Sequence, residues 1–188
     1  MSAIILQASL FHKAGVGTDS ECEDLLRQLN DIRDAPATEL TNDGCWRSTH
    51  QYESIDWLTN EIINLFRESV NFYSSVDSVF AKLLRNEIKI NYWTNINQPG
   101  SRNVVHSHKP GICSGVYYIQ GTNTGRLKFI NPANLLSDCN PRSPFTRAFQ
   151  VSPLDRDLVM FPSWMPHEVD QNLSDRERIS IAYDVAFV

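Results

Sequence analysis

The chain has 188 residues, of which 41% are hydrophobic, and this size and composition suit one compact domain with a buried core. We therefore expect residues 1–188 to form a single domain, in which 1–85 supply a strand and supporting helices and 86–188 supply the main sheet. The formal net charge is -5 and no basic stripe is present. This argues against a nucleic acid as the main partner, because affinity for phosphates comes largely from clustered Lys and Arg.

The cysteines and the N-terminus indicate a reducing compartment. No CxxC pair occurs, and the first residues lack the basic region and long apolar core of a signal peptide. No window approaches the roughly 20 apolar residues that a membrane span requires. We expect a soluble cytoplasmic protein, without a membrane partner, whose thiols stay reduced, and the sequence leaves the choice between monomer and homodimer open. The cysteines are Cys22, Cys45, Cys113 and Cys139.

The first half predicts one strand and two helices. Residues 3–11 have the composition of a strand, and residues 19–33 place Leu25, Leu29 and Ile32 at helical spacing. A second amphipathic helix follows Ser54, a suitable N-cap. These apolar faces are typical of packing surfaces, so we assign them no chemistry.

From residue 86 the apolar period changes from helical to alternating, which predicts strands. Short strands separated by turn-forming segments are typical of an antiparallel sandwich or jelly roll, which the preceding helices would cover. The predicted strands are 86–97, 103–108, 114–120, 125–130, 147–151, 157–161 and 178–187, and the predicted turns are 98–100, 109–111, 121–125 and 172–175.

Three histidines in this half form a candidate metal site. His106 and His108 are two residues apart in a strand-forming run, so their side chains point to the same side. His167 lies at another predicted strand end and completes a set of three imidazoles. Such a set leaves coordination positions open for substrate or oxygen, as in catalytic sites. Two partly exposed histidines bonded to their neighbours are the alternative.

A candidate anion site lies beside it. Arg178 and Ser180 share one face of the last predicted strand, and a guanidinium offers two parallel donors to a carboxylate. Arg176 is the rival cation, although it lies nearer the preceding turn. The alternative for Arg178 is an ion pair with one of three nearby carboxylates, Asp175, Glu177 and Asp184.

The order of motifs over residues 86–188 resembles the Fe(II)/2-oxoglutarate-dependent oxygenases, more narrowly a small bacterial and phage branch related to prolyl hydroxylases. The resemblance implies a double-stranded β-helix, a cupin-like jelly roll, which agrees with the strands counted above. The motifs are His-x-His at 106–108, Ser-Gly-Val-Tyr-Tyr-Ile at 114–119, Gly-Arg-Leu-Lys-Phe at 125–129 with Pro132, Asp-Leu-Val-Met-Phe-Pro-Ser-Trp at 157–164, His167, and Arg-Ile-Ser-Ile-Ala-Tyr at 178–183.

The resemblance implies that His106 and His167 are iron ligands and that His108 is the middle ligand. Most of the superfamily has Asp or Glu at that place, so a histidine makes the site more positive by about one charge. If His108 did not bind iron, the site would resemble that of halogenating relatives. Arg178 corresponds to the residue that holds the distal carboxylate of 2-oxoglutarate, with Ser180 and Tyr118 beside it.

The activity that the resemblance implies is hydroxylation of a peptidyl, prolyl-like C–H bond or of a small molecule, with release of succinate and CO2. Fe(II) and 2-oxoglutarate are the implied cofactor and co-substrate, and ascorbate is an accessory reductant that the resemblance allows. Residues 131–146 form a candidate lid. The candidates for contact with substrate are Asn95, Asn97, Arg102 and Trp164.

Two other functions stay open at this point. One is a three-histidine metal dioxygenase or zinc hydrolase that does not use 2-oxoglutarate, because three imidazoles also bind zinc. The other is a non-catalytic, cupin-like binding protein. The first would leave Arg178 and Ser180 without a role.

Overall fold

The computed structural model describes residues 10–36, 42–48, 55–76, 78–108, 111–130 and 149–188. Nine strands, two α-helices and one 3-10 helix lie in these ranges. The helices are α1 Asp19–Ile32, α2 Asp56–Val76 and the 3-10 helix Ser78–Arg85. The strands are β1 Phe11–Lys13, β2 Asn42–Arg47, β3 Ile88–His106, β4 Cys113–Gln120, β5 Leu127–Phe129, β6 Phe149–Val151, β7 Leu158–Pro162, β8 His167–Val169 and β9 Arg178–Phe187.

The strands form one curled antiparallel sheet in the order β1-β7-β4-β9-β3-β8-β5-β6, and β2 pairs with the other edge of β3. Strand β3 connects the two halves of the fold: it pairs with β9 from Ile88 to Asn97, and with β8 at Asn103 and His106. A sheet that curls on itself in this way is the double-stranded β-helix predicted from the sequence, so the predicted fold class is confirmed.

The helices cover one face of the sheet, as predicted. Helix α1 begins at a capping box, in which Thr18 and Glu21 each bond the other's backbone N–H, and this satisfies two donors at the helix start. The buried faces of α1 and α2 share one core with strands β4 and β9. Within the described ranges, none of the helices has both the length and the apolar character that crossing a bilayer demands. The predicted cap Ser54 lies outside the described residues.

The predicted turn at 98–100 is wrong, because β3 continues through it. Gly100 has a φ of 90°, a value that glycine adopts without strain. Its N–H donates to the carbonyl of Asn172, 2.7 Å away, and the N–H of Asn172 donates to the carbonyl of Ser101. These bonds satisfy the backbone where β3 changes partner, so the strand is not interrupted.

Other boundaries differ from the prediction in smaller ways. Strands β2 and β8 and the 3-10 helix were not predicted, and the strand predicted over 103–108 ends at His106. The strand predicted over 3–11 lies almost wholly outside the described residues, as does the candidate lid 131–146. Among the described residues, Cys22, Cys45 and Cys113 are free thiols, and Cys139 lies outside them.

Candidate metal centre

The sheet brings the three predicted histidines together. His106 at the end of β3 pairs in register with His167 at the start of β8, and His108 follows two residues after β3. The ring centroids of His106 and His167 are 4.3 Å apart, and that of His108 lies 5.1 Å and 5.2 Å from them. One nitrogen from each ring lies within 4.8 Å of the other two. This spacing fits three ligands of one metal ion.

Hydrogen bonds hold the Nδ1 atom of each ring. His106 Nδ1 lies 2.7 Å from the carbonyl oxygen of Val104, and His167 Nδ1 lies 2.9 Å from that of Met165. Because a carbonyl oxygen only accepts, both Nδ1 atoms carry the proton and both Nε2 atoms keep a lone pair. The arrangement leaves Nε2 as the atom that can bind a metal in each ring.

A carboxylate holds the third ring. His108 Nδ1 lies 2.9 Å from Asp184 Oδ1, and the hydroxyl of Ser114 also donates to Asp184 at 2.6 Å. A carboxylate bonded to the far nitrogen of a ligating imidazole fixes the tautomer and raises the basicity of the ligand. A carboxylate ligand would carry a negative charge that His108 lacks. Asp184 supplies such a charge one hydrogen bond away from the His108 ring.

Burial lowers the pKa of two of the imidazoles, His106 and His167. His167 is 3% exposed, and desolvation lowers its pKa to about 3, with the neighbouring His106 acting in the same direction. Burial also lowers the pKa of His106. A neutral imidazole is the form that binds a metal, so these two rings are in the ligating form at neutral pH.

Arg178 is 1% exposed and only half of its guanidinium is bonded. Its Nη1 donates to the carbonyl oxygens of Thr124 at 2.6 Å and Asp170 at 3.3 Å. Its Nη2 is buried without a hydrogen-bond partner among the described residues, and burial lowers the pKa of the side chain. An unmatched buried donor on a cation is costly, so this atom is suited to an anionic ligand.

Arg178 does not form an ion pair with the nearby carboxylates of Asp175, Glu177 or Asp184. Glu177 pairs with Arg33, and Asp184 bonds His108 instead. The rival cation Arg176 lies at the surface and pairs with Asp155. No carboxylate on the described part of the chain lies within ion-pair distance of Arg178.

Tyr118 supplies a second unmatched donor in the same cavity. Its side chain is 1% exposed and its hydroxyl has no partner among the described residues. Burial raises its pKa to about 12, so the group is a neutral phenol that can donate. Tyr118 pairs in register with Ser180, and both line a cavity of about 310 Å³ together with Arg178 and the three histidines.

The structure does not bring all candidate substrate residues to this cavity. Asn95 lines it. Asn97 is buried next to it, where its amide donates to Asn103. Arg102 is exposed and pairs with Asp43, and Trp164 is 56% exposed beside a different cavity.

The residues lining the cavity that were not predicted include Trp93, Arg47 and Asp184. Trp93 stacks on the His108 ring at 5.5 Å between centroids, and the guanidinium carbon of Arg47 lies 4.5 Å from the Trp93 ring centroid. The alternation of β3 places Trp93 on the same side as Asn95, and that of β9 places Asp184 on the same side as Ser180, so strand period could have identified both. Arg47 lies in a segment for which no strand was predicted.

Comparisons with known proteins agree with the fold. Residues 91–184 match a family described as "Putative 2OG-Fe(II) oxygenase". Among the curated proteins, none matches the chain. The chain is similar in structure to a prolyl-4-hydroxylase from Pseudomonas putida, with a TM-score of 0.64 and 19% identity over 95% of this chain and 92% of that one.

Two further solved structures are similar. One is a prolyl hydroxylase from Trichoplax adhaerens in complex with a hypoxia inducible factor peptide fragment, with a TM-score of 0.59 and 13% identity over 94% of this chain and 82% of that one. The other is HygX from Streptomyces hygroscopicus with nickel, 2-oxoglutarate and hygromycin B bound, with a TM-score of 0.58 and 10% identity over 95% and 83%. At these identities the likeness shows the fold alone.

Proposed function

Because the chain belongs to the 2OG-Fe(II) oxygenase family, we propose that it hydroxylates a C–H bond of a peptidyl or small-molecule substrate. In this reaction one atom of dioxygen enters the substrate and the other enters 2-oxoglutarate, which leaves as succinate and CO2. Bound iron supplies the redox chemistry that couples the two oxidations. The residues of the chain bind, orient and shield the reactants.

One observation carries the proposal: Arg178 Nη2 and the Tyr118 hydroxyl are both buried without a hydrogen-bond partner in the described part of the chain, and both residues line one cavity with the histidines. Both are donors, and one carries a positive charge. The distal carboxylate of 2-oxoglutarate is a group that both donors fit, and Ser180 adds a hydroxyl beside them. A cavity for a neutral ligand would not require a buried cation.

The histidines have proposed roles as well. His106, His108 and His167 would hold Fe(II) through Nε2, since their Nδ1 atoms are bonded elsewhere. Neutral imidazole suits iron, zinc, copper and nickel. The chemistry of the donor set therefore fits Fe(II). Most of the superfamily has a carboxylate at the position of His108, and here the charge of Asp184 lies beside that histidine.

Similar proteins bind molecules of both kinds that we propose as substrates. The Trichoplax enzyme binds a peptide fragment, and HygX binds hygromycin B, a small molecule. The cavity volume of about 310 Å³ is near the lower end for small-molecule sites. A single side chain of a peptide or a compact metabolite is the size of substrate that it suits.

Formation of succinate tests the proposal. Anaerobically purified protein is given Fe(II), 2-oxoglutarate and ascorbate, air is admitted, and succinate is measured. We expect slow succinate formation that requires both additions. Iron binding without succinate would favour a three-histidine enzyme that does not use 2-oxoglutarate, and bound metal that changes stability without any turnover would favour a binding protein.

Paired arginine variants make the test specific. Arg178→Met removes the buried cation, and Arg176→Met removes a neighbouring surface cation that pairs with Asp155. A hydrogen bond to a charged group contributes about 1.5–3 kcal/mol, so we expect affinity for 2-oxoglutarate to fall roughly 10- to 100-fold in the first variant only. Circular dichroism checks that both variants are folded.

A further inference from the structure

A second arginine, Arg47, lines the same cavity as Arg178. It lies on the side of Asn95 opposite to Ser180. Arg47 ends β2 and pairs in register with Asn95 on β3, which pairs with Ser180 on β9 and, beyond it, with Tyr118 on β4. These four residues therefore form one row across four strands. Adjacent strands lie about 4.8 Å apart, so roughly 10 Å of sheet separate the backbone of Arg47 from that of Ser180.

The guanidinium of Arg47 has a π partner but, among the residues that the structure describes, no carboxylate partner. It lies over Trp93, 4.5 Å from the ring centroid, and that contact leaves the N–H groups at its edge available. Asp184, which lines the same cavity, is bonded to His108 and Ser114 instead. Within the described ranges, no carboxylate forms an ion pair with Arg47.

Burial makes this cation ready for an anion. Desolvation lowers the pKa of Arg47, and its side chain lines the same cavity as His106. A half-buried guanidinium that has lost part of its hydration gains more from a carboxylate than an exposed one does. Trp93 also stacks on His108, and Arg47, Trp93 and the three histidines line one cavity.

Resting on the proposed function, we infer that Arg47 binds a carboxylate of the substrate, and that the substrate is a small organic acid of about the size of an amino acid. The cavity contains two cations, one for each anion. Arg178, at the buried end, binds the co-substrate, and Arg47, near the histidines, binds the substrate. The small cavity volume favours a compact acid, and Asn95 and Trp93 complete a polar and an aromatic wall around it.

Ligand-observed NMR on the zinc- and 2-oxoglutarate-loaded protein tests the inference without turnover. The probes are the N-acetyl derivatives of the common amino acids, each as the free acid and as the primary amide, which removes the charge and keeps the shape. Internal peptides that contain the same side chains form a third arm. We expect at least one acid to bind, with its amide and the matching peptide at least about tenfold weaker.

Variants then assign the effect to Arg47. Arg47→Gln should reduce the affinity for the acid to that for the amide, and Arg47→Lys should give an intermediate affinity because it keeps the charge and loses the fork. Arg27→Gln, which removes an exposed arginine of α1, should change nothing. Unchanged affinity for 2-oxoglutarate shows that the Arg47 variants are folded and loaded.

Three results would overturn the inference: equal binding of acids and amides, full binding of the acid by Arg47→Gln, or binding of no acid in the panel. A preference for the internal peptides would assign the cavity to a peptidyl substrate instead. If wild-type protein fails to bind 2-oxoglutarate in the same titrations, the proposed function itself fails, and the two failures are thus distinguishable.

Discussion

Asp184 is the residue that distinguishes the proposed metal site from one with a carboxylate ligand. It is bonded to His108 Nδ1 at 2.9 Å, so its charge would act through the ring on a metal that His108 binds. We predict that Asp184→Asn lowers metal affinity roughly 10- to 100-fold, because the amide keeps a hydrogen-bonding group but loses the charge. Competition of Co(II) with a coloured chelator measures this, and Asp24→Asn on the surface of α1 is the control. Equal affinities in all three proteins would contradict the role of Asp184.

Two adjacent tyrosines on β4 provide a matched pair of variants. The Tyr118 hydroxyl has no hydrogen-bond partner among the residues described, so Tyr118→Phe should leave the stability of the metal-free protein unchanged or raise it. The same change should weaken 2-oxoglutarate binding about tenfold or more, because a donor to its carboxylate is lost. Thermal melts and titrations with 2-oxoglutarate measure the two effects.

Tyr117→Phe should behave in the opposite way. The Tyr117 hydroxyl donates to the carbonyl of Val16 at 2.9 Å, so its loss should cost about 1 kcal/mol of stability. Tyr117 belongs to the core under the helices, and 2-oxoglutarate affinity should stay the same. If Tyr118→Phe destabilised the protein and kept its affinity, Tyr118 would be an ordinary core tyrosine.

At the scale of elements, the loop before β5 packs against Arg178 in the proposed anion site. Gly125 has a φ of 106°, and a Cβ added there would lie 3.0 Å from Arg178 Nη1 and from the carbonyl oxygen of Asp170. We predict that Gly125→Ala costs about 1–3 kcal/mol of stability and also weakens 2-oxoglutarate binding. Urea denaturation and ligand titration measure these changes.

Gly100 is the control for backbone strain. Its φ is 90°, and a Cβ added there would meet nothing within 4 Å. Gly100→Ala should therefore lose stability through its backbone conformation and keep its affinity for 2-oxoglutarate. Equal affinities in both alanine variants would show that the loop at Gly125 does not position Arg178.

The sequence predicted the long strands and helices and missed some of the shorter elements. The alternation in β3 and β9 extends over many residues, so their faces could be assigned from period alone. Strand β8 has three residues, too few for a period, yet its pairing with β3 sets His167 against His106. The turn predicted at 98–100 failed because Gln-Pro-Gly is typical of turns, whereas here the backbone bonds to Asn172 keep the strand extended.

Only part of the candidate site could be predicted from the sequence. Arg178 and Ser180 share a face by strand period, and the histidine spacing indicated a metal site. The partners of His108 and Arg178 depend on which strands become neighbours. That order follows from packing across the whole sheet, so Asp184 as a partner of His108 and Arg47 as a wall of the cavity could not be derived from local pattern.

At the scale of the whole molecule, the buried imidazoles make stability depend on pH. The pKa of His167 is about 3 in the folded protein against a usual value of 6.5, so the unfolded chain binds this proton more tightly. The contribution of His167 to stability is therefore fully present above pH 6.5, and it is lost as the pH falls toward 3. We predict a loss of about 2 kcal/mol from this group between about pH 7.5 and about pH 5.

Urea denaturation of the metal-free protein at several pH values measures this loss. His167→Gln should flatten the dependence, because the glutamine does not titrate. Added Zn(II) should raise stability at neutral pH by mass action and should do so less in acid, where protons compete for the imidazoles. A pH dependence that is the same in His167→Gln and wild type would contradict the assignment.

The central claim is that three imidazoles bind one metal ion and that Arg178 binds the co-substrate beside it. Crystals soaked anaerobically with Fe(II) and 2-oxoglutarate, with anomalous data collected at the iron edge, test it most directly. We predict one iron peak within bonding distance of Nε2 of His106, His108 and His167, and a carboxylate on Arg178 Nη2 and the Tyr118 hydroxyl. Iron bound elsewhere or without His108, or 2-oxoglutarate away from Arg178, would contradict the claim.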